Sequence, residues 1–377
     1  MKITDRLRVT YHGRTVGTMA LYKGRIAAFQ YDREWLADGF SISPFSLPLE
    51  QKVFMPKMEP FDGIFGVFAD SLPDGWGRLL VDRLMLKNHM NPHETGNMDR
   101  LAIVGQSGMG ALCYEPEYYF ETEERTLDLD QIAEECRRIL STEPAENLDE
   151  LFRLGGSSGG ARPKILTRID GEDWIIKFPS SSDHDDIGKQ EYEYSLCARE
   201  CGIEMAETRL FSSERCAGYF GTKRYDRRRK EDGTTERVHM LSASAVLETS
   251  HRIPNLDYEI LMKLTLELTK DFSETEKLFR LMCFNVFAHN RDDHSKNFTY
   301  LYEESKEGWV LSPAYDLTYS YSIGGEHATT VHGNGTDPGM EDILAVADSI
   351  SMERRKAKRI AEEVRECVEI RLSEYLR

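Results

Sequence analysis

His289-Asn290-Arg291-Asp292-Asp293-His294-Ser295-Lys296-Asn297, followed by Ala314-Tyr315-Asp316-Leu317, spaces a carboxylate, an amide and a second carboxylate as transfer of a γ-phosphoryl group requires. That reaction needs a base to orient the attacking hydroxyl and oxygen ligands for Mg²⁺. A catalytic-loop Asp, an Asn five residues on and a later Asp supply them in protein kinases. Asp292 fits the base, and Asn297 and Asp316 fit the metal ligands.

Residues 298–302 and 309–311 look like two strands joined by a polar turn at 303–308. A hairpin there brings Asn297 and Asp316 together. Mg²⁺ keeps most of its octahedral shell as water and phosphate oxygen, so one amide and one carboxylate suffice. The competing reading is a polar helix-to-strand loop in which Asp292, Asp293 and Asn297 only cap backbone amides.

At 377 residues the chain can bury a large core, as two or three domains or as one large fold with an accessory subdomain. A formal charge of −17 argues against a surface that coats nucleic acid. The densest basic run, Lys223-Arg-Tyr-Asp-Arg-Arg-Arg-Lys230, reads as a hairpin tip continuing into residues 231–235. Seven cysteines without a CxxC pair point to a reduced, cytoplasmic protein. Cys197 and Cys201 share a helical face and could hold half a metal site, but no second pair of ligands lies nearby in sequence, and buried free thiols are common. The N-terminus lacks an apolar signal core, and the most apolar helix, at 281–288, is too short to cross a bilayer.

Residues 8–56 alternate short β-like runs with turns and predict a small, mainly antiparallel sheet. Leu72-Pro-Asp-Gly-Trp76 leads into a helix over 76–88, and Gly105–Gly110 reads as a tight connection. An acidic stretch with a helix at 129–140 divides the chain. The expected organisation is an N-terminal subdomain (1–120), a connector (121–150), a nucleotide-binding α+β region (151–240) and a mainly helical lobe (241–377). Helical periodicity appears at 187–201, 257–269, 274–289, 340–348 and 352–376. The order is that of an α+β, bilobal, protein-kinase-like fold with a mainly β N-terminal subdomain and a mainly α C-terminal lobe.

Leu154-Gly-Gly-Ser-Ser-Gly-Gly-Ala-Arg-Pro-Lys164 is a glycine-rich loop entering a strand. Backbone without Cβ atoms can approach phosphate and present its amides. It is not a Walker loop, since no Gly-Lys-Ser/Thr opens a helix. The next strand, Trp174-Ile-Ile-Lys-Phe178, embeds Lys177 in an apolar run, where a nucleotide phosphate and a carboxylate from the following helix, Glu191 or Glu193, would satisfy it.

Together these residues resemble the HipA family of bacterial serine/threonine kinases, the toxins of HipBA-type toxin–antitoxin pairs. Val16-Gly-Thr-Met, Ser46-Leu-Pro-Leu49 and Leu72-Pro-Asp-Gly75 look like its N-subdomain. Gly156 to Lys164, Lys177, Lys223-Arg-Tyr-Asp-Arg227, His239-Met-Leu-Ser-Ala243, Asp292 to Asn297 and Tyr315-Asp316 follow its kinase motifs in order. The resemblance implies Asp292 as catalytic base and Asn297 and Asp316 as Mg²⁺ ligands. It implies ATP phosphates lined by Gly159, Gly160, Ala161, Arg162, Lys164, Lys177, His294 and Lys296, with Tyr315 beside the nucleotide. Lys223, Arg224 and Tyr225 would form the adenine hinge, chiefly through backbone groups and the Tyr225 ring. Ser157 holds the position of an inhibitory autophosphorylation site, with Ser158 as the alternative. Arg162-Pro163 departs from the family's loop, Pro163 removing one backbone donor, and the short 170–177 segment leaves little room for a long substrate loop.

The expected function is a Mg-ATP-dependent serine/threonine protein kinase, a type II toxin that phosphorylates a translation component, aminoacyl-tRNA synthetases being one class. Its expected partner is a HipB-like DNA-binding antitoxin, through which alone it would meet nucleic acid. The alternative is a pseudokinase-like module that binds nucleotide and antitoxin but transfers nothing. A third possibility is a lipid or small-molecule kinase of related fold; the acidic charge and the absence of a membrane-binding helix disfavour lipid surfaces.

Overall fold

The computed structural model describes residues 4–120, 126–143, 145–181, 183–321 and 323–376. Residues 121–125, at the start of the expected connector, lie outside the described residues. Contacts divide the chain into two compact units, one of residues 1–188, 210–241 and 245–249, the other of 189–209, 242–244 and 250–377.

In the first unit, β1 (Arg6–Tyr11), β2 (Arg14–Tyr22), β3 (Ile26–Tyr31), β4 (Val53–Phe54) and β5 (Leu112–Glu115) form an antiparallel sheet in the order β4-β3-β2-β1-β5. Leu7 and Val9 are buried while Arg6 and Arg8 are exposed, the period of two expected of a sheet with one covered face, and Thr10 and Tyr11 at the strand's end are both buried. His12 and Gly13, both at positive φ, make the two-residue turn that matches the twist of β1 and β2. The run expected as strands and turns also contains a short helix, Arg33–Asp38. Asp32 caps it by accepting from the Glu34 amide at 2.9 Å, and Trp35 is buried beneath it.

Helices α1 (Gly75–Lys87), α2 (Leu129–Leu140) and α3 (Leu148–Gly155) cover a second sheet. Its strands are β6 (Lys164–Ile169), β7 (Glu172–Lys177), β8 (Thr208–Phe211) and β9 (Tyr219–Lys223), in the order β6-β7-β9-β8. Asp128 and Gln131 form a reciprocal capping box at the start of α2, at 2.8 and 3.0 Å. Trp76 and Leu80 of α1, Ile132 and Ile139 of α2, and Ile165, Trp174 and Ile176 of the sheet share one core. Residues 1–120, expected as a region apart from 151–240, share one compact unit with 151–188 and 210–240, while 189–209 fall in the other unit; α1 lends its apolar face to the second sheet. The basic run ends in a hairpin of β10 (Arg227–Arg229) and β11 (Thr235–Arg237).

The second unit is mainly helical, with most of α4 (Ile187–Glu200), α5 (Tyr258–Thr269), α6 (Phe272–Phe287), α7 (Met340–Ser349) and α8 (Arg354–Arg371) around the hairpin β12 (Thr299–Glu303) and β13 (Gly308–Leu311). Asp257 and Asp271 cap α5 and α6 by accepting from Glu259 and Ser273 amides at 2.8 Å. Apolar side chains from Leu278 to Val286 make α6 the central helix. Against it, α8 buries Ala357, Ile360, Ala361, Val364 and Val368 at helical spacing. Each larger side chain contributes roughly 1.5–3 kcal/mol relative to exposure. Among the described residues, no helix is long and apolar enough to cross a membrane.

Candidate active site

The chain leaves α6 through His289, at φ +51°, and enters the loop that holds the catalytic candidates. Two adjacent aspartates part company there. The Asp292 side chain is 63% exposed, whereas Asp293 is 1% exposed. Asp293 accepts from the Tyr258 hydroxyl at 2.9 Å and the Thr329 amide at 3.2 Å, and its carboxylate lies 2.9 Å from His327 Nδ1. Burial and the Asp293 charge push the Tyr258 phenol well above its ordinary pKa, so it stays a donor. Asn285 donates to Tyr258, and Asn290 to Asn285, both at 2.9 Å, which joins α5 and α6 to the loop. A buried carboxylate with this many partners fixes its backbone, and the next carboxylate along is held facing outward.

The Asn297 amide nitrogen donates to the Asp292 carbonyl at 2.7 Å, which points its Oδ1 away as the atom able to meet a cation. His294 Nδ1 accepts from the Lys296 amide at 3.3 Å, and Nε2 lies 3.8 Å from Asp292 Oδ1. Burial, then the charge of Arg291, lowers the pKa of His289, keeping that imidazole neutral.

β12 and β13 pair antiparallel with Tyr300 opposite Leu311, the hairpin that the two strand-like runs and their polar turn predicted. Past the strands, the Ser312 amide donates to the Thr299 carbonyl at 2.8 Å. The Tyr315 hydroxyl donates to the Lys296 carbonyl at 2.6 Å and lies 2.6 Å from Thr299 Oγ1. The hairpin thus brings residues 296–299 against 312–315, with Asp316 next in the chain. Asp316 adopts φ +53°, a left-handed conformation that Asp tolerates better than most residues.

In the other unit, the glycine loop starts later than its composition suggested, because Leu154 and Gly155 complete the last turn of α3. Ser158 is 1% exposed and donates to the Gly155 carbonyl at 2.6 Å, while the more accessible Ser157 donates to the Ser107 carbonyl at 2.9 Å. The loop rests on Leu72-Pro-Asp-Gly75. The Asp74 carboxylate accepts from the Gly160 amide, and the Trp76 amide donates to the Gly160 carbonyl at 2.9 Å. Gly75, at φ +44°, lies so close that a Cβ would stand 2.3 Å from the Gly160 carbonyl oxygen, and one on Gly77 would stand 2.2 Å from that of Ser158. Beyond the exposed Ala161, Arg162 pairs with both Asp183 oxygens at 3.0 and 3.2 Å. Burial works against the Asp183 carboxylate, but the Ser180 amide and Arg162 outweigh it and hold its pKa down.

Lys164 and Lys177 stand directly opposite each other on β6 and β7, each 8% exposed. A Cβ on Gly160 would lie 2.7 Å from Lys164 Nζ, so that ammonium sits at the glycine loop beside Gly159 and Gly160. The Lys177 ammonium lies 5.5 Å from the centre of the Phe220 ring. Of the two carboxylates that α4 offers, Glu193 is engaged by Lys189 at 3.6 Å and by the Tyr375 hydroxyl, while Glu191 is 2% exposed.

Lys223 lies across from Trp174, its ammonium 5.8 Å from the indole. Arg224 turns inward, gripping Asp226 at 2.8 and 2.9 Å, and its amide donates to the Asp173 carbonyl at 2.9 Å. Burial opposes the Asp226 charge, yet Arg224 and Arg227 hold its carboxyl well below the usual range. The Arg224 side chain thus serves the fold, and Tyr225 follows it half-buried. Sequence reasoning missed Asp74 and Asp293, one in a stretch that spells only a turn, the other reading as a generic cap.

Residues 156–371 match the family model of the HipA-like C-terminal domain, and residues 7–115 match that of the HipA N-terminal domain. The chain is 27% identical over 342 residues to "Putative kinase Y4mE" of Sinorhizobium fredii, covering 82% of this chain and 76% of that protein. It is also similar to HipA of Shewanella oneidensis MR-1, whose structure was solved with HipB and operator DNA. The TM-score is 0.70 at 17% identity, over 96% of this chain and 90% of that one. That likeness gives the chain the same α+β, protein-kinase-like fold class. With both domain models matched in order, and the C-terminal one spanning more than half its length, the chain belongs to the HipA family.

Proposed function

We propose that this protein is a Mg-ATP-dependent serine/threonine protein kinase acting as the toxin of a toxin–antitoxin pair. The observation that carries the reading is the loop in which Asp293 is locked inward, Asp292 faces outward and Asn297 is oriented by the Asp292 carbonyl. Asp292 takes the proton of the acceptor hydroxyl as the new P–O bond forms and ADP leaves with the electrons of the broken one. Asn297 and Asp316 would hold Mg²⁺, which when bound would neutralise charge on the phosphates. Gly159, Gly160 and Lys164 cradle phosphate, and Lys177 adds a second ammonium. His294, Lys296 and Tyr315 fix the catalytic loop. Lys223 and Tyr225 form the adenine hinge, with Arg224 contributing backbone.

The partner is a HipB-like DNA-binding antitoxin, a reading supported by the Shewanella protein having been solved with HipB and operator DNA. The substrate class is a component of translation, and Ser157 is the self-inhibitory phosphorylation site. Purified protein given γ-labelled ATP should label itself or an added substrate, and Asp292→Asn should abolish labelling while leaving the circular dichroism and Tm unchanged. A folded Asp292→Asn that still transfers phosphate rejects the base assignment. Nucleotide binding by the wild type without any transfer would favour the pseudokinase-like alternative.

A further inference from the structure

Cys197 and Cys201 lie one turn apart, Cys197 within α4 and Cys201 just past its end, and Cys367 approaches from α8. The sequence offered only the first pair, and folding supplies a third thiol from 166 residues further along. The three sulfurs lie within 4.8 Å of one another. Among the described residues, this is the one group of three or more His, Cys, Asp or Glu donors gathered so closely.

We propose that Cys197, Cys201 and Cys367 form a trithiolate site for one soft divalent cation of the zinc class, joining the C-terminal helix to α4. At a metal–sulfur distance of about 2.3 Å, three sulfurs around a shared cation stand roughly 3.8–4.0 Å apart, so the observed triangle closes on a cation with small side-chain rotations. An all-sulfur donor set selects soft or borderline cations over Mg²⁺ or Ca²⁺, which take oxygen. A divalent ion leaves the site with a single net negative charge, whereas a monovalent ion would leave two in a largely dry place. Cys197 and Cys201 are 1% and 5% exposed, while Cys367 is partly exposed. The Cys367 side is the entry path, and a water from that side would be the fourth ligand.

Without a cation, protons occupy the site. Cys201 Sγ donates to the Val364 carbonyl and Cys367 Sγ to the Cys197 carbonyl, both at 4.0 Å. Loading exchanges three thiol protons for the cation, with no change of oxidation state. The nearby Arg371–Glu200 ion pair already ties the same two helices, and the metal adds a second tie.

The full-length, reduced protein under argon is titrated with Cd²⁺ alone. The expected result is an ultraviolet thiolate-to-cadmium charge-transfer band that saturates at one equivalent, about three protons released per ion at neutral pH, and a rise in Tm. Zn²⁺ should displace the band. Cys367→Ser should lose both band and Tm shift, and Cys113→Ser should keep them. In case Cys367→Ser misfolds, alkylation mapping on the wild type decides: in mild denaturant, Cd²⁺ should shield Cys197, Cys201 and Cys367 together. Absence of the band at one equivalent, its survival in folded Cys367→Ser, shielding of other cysteines, or a disulfide among the three in the reduced preparation would each overturn the site.

Discussion

At the scale of single residues, Ser157 and Ser158 look interchangeable in sequence but have different surroundings. Ser158 is packed away and spends its hydroxyl proton on the Gly155 carbonyl, whereas Ser157 is accessible and donates to the Ser107 carbonyl. A phosphate on Ser157 removes that donor and sets nearly two negative charges against a carbonyl oxygen, which should eject the loop. Phosphopeptide mapping should therefore find phosphate on Ser157, and Ser157→Asp should weaken ATP binding by tenfold or more. Ser158→Ala should instead cost about 1 kcal/mol of stability through the lost hydrogen bond, read as a lower denaturant midpoint. His239 is fully buried against the Ile42 carbonyl at 2.8 Å, and burial lowers its pKa to about 4. The unfolded chain thus binds this proton more readily, so stability is full above pH ~6.5 and falls as pH drops through about 4. The loss is on the order of 3 kcal/mol. Tm measured from pH 7 to 4 should fall more steeply in the wild type than in His239→Gln.

Among the elements, the start of α1 and the glycine loop act as one piece. Gly75 and Gly77 come so near the backbone of Gly160 and Ser158 that no side chain fits between them, and the positive φ of Gly75 adds a second reason for glycine there. Gly75→Ala should lower stability by roughly 1–3 kcal/mol and weaken nucleotide binding. Calorimetric titration of ATP beside thermal unfolding checks both, and unchanged values would mean the loop does not depend on its N-terminal support. This dependence was hidden in the sequence, since Leu72-Pro-Asp-Gly75 signals a turn without naming what the turn touches. The hairpin of β12 and β13 was legible, because its pairing is local and two strand-like runs flank a short polar turn. Leu154 and Gly155 were read as loop although they end a helix, since glycine composition outweighed the helix that Asn147 and the acidic first turn begin.

For the whole molecule, most helices could be read from periodicity alone: the expected helix at 129–140 matches its observed bounds, and those at 187–201 and 340–348 differ by one residue. What could not be read was which distant segments share a core. Trp76 packs with Trp174 and Ile176 because α1 and the second sheet complete each other's apolar faces, and no local pattern states that. The same holds for the site. Asp292, Asn297 and Asp316 are singled out by spacing, but the inward lock of Asp293 draws on Tyr258 and on His327 and Thr329, from two other places in the chain.

β1 has β2 on one side and β5 on the other, so its second edge is not closed until residues 112–115 exist. During synthesis, at about 5–20 residues per second, a nascent chain carries that bare edge for several seconds while the intervening hundred residues emerge. Fragments ending before Leu112 should therefore be the sticky ones, drawing chaperones or one another to the vacant ladder, and any truncation meant to isolate the N-terminal sheet has to run past Glu115.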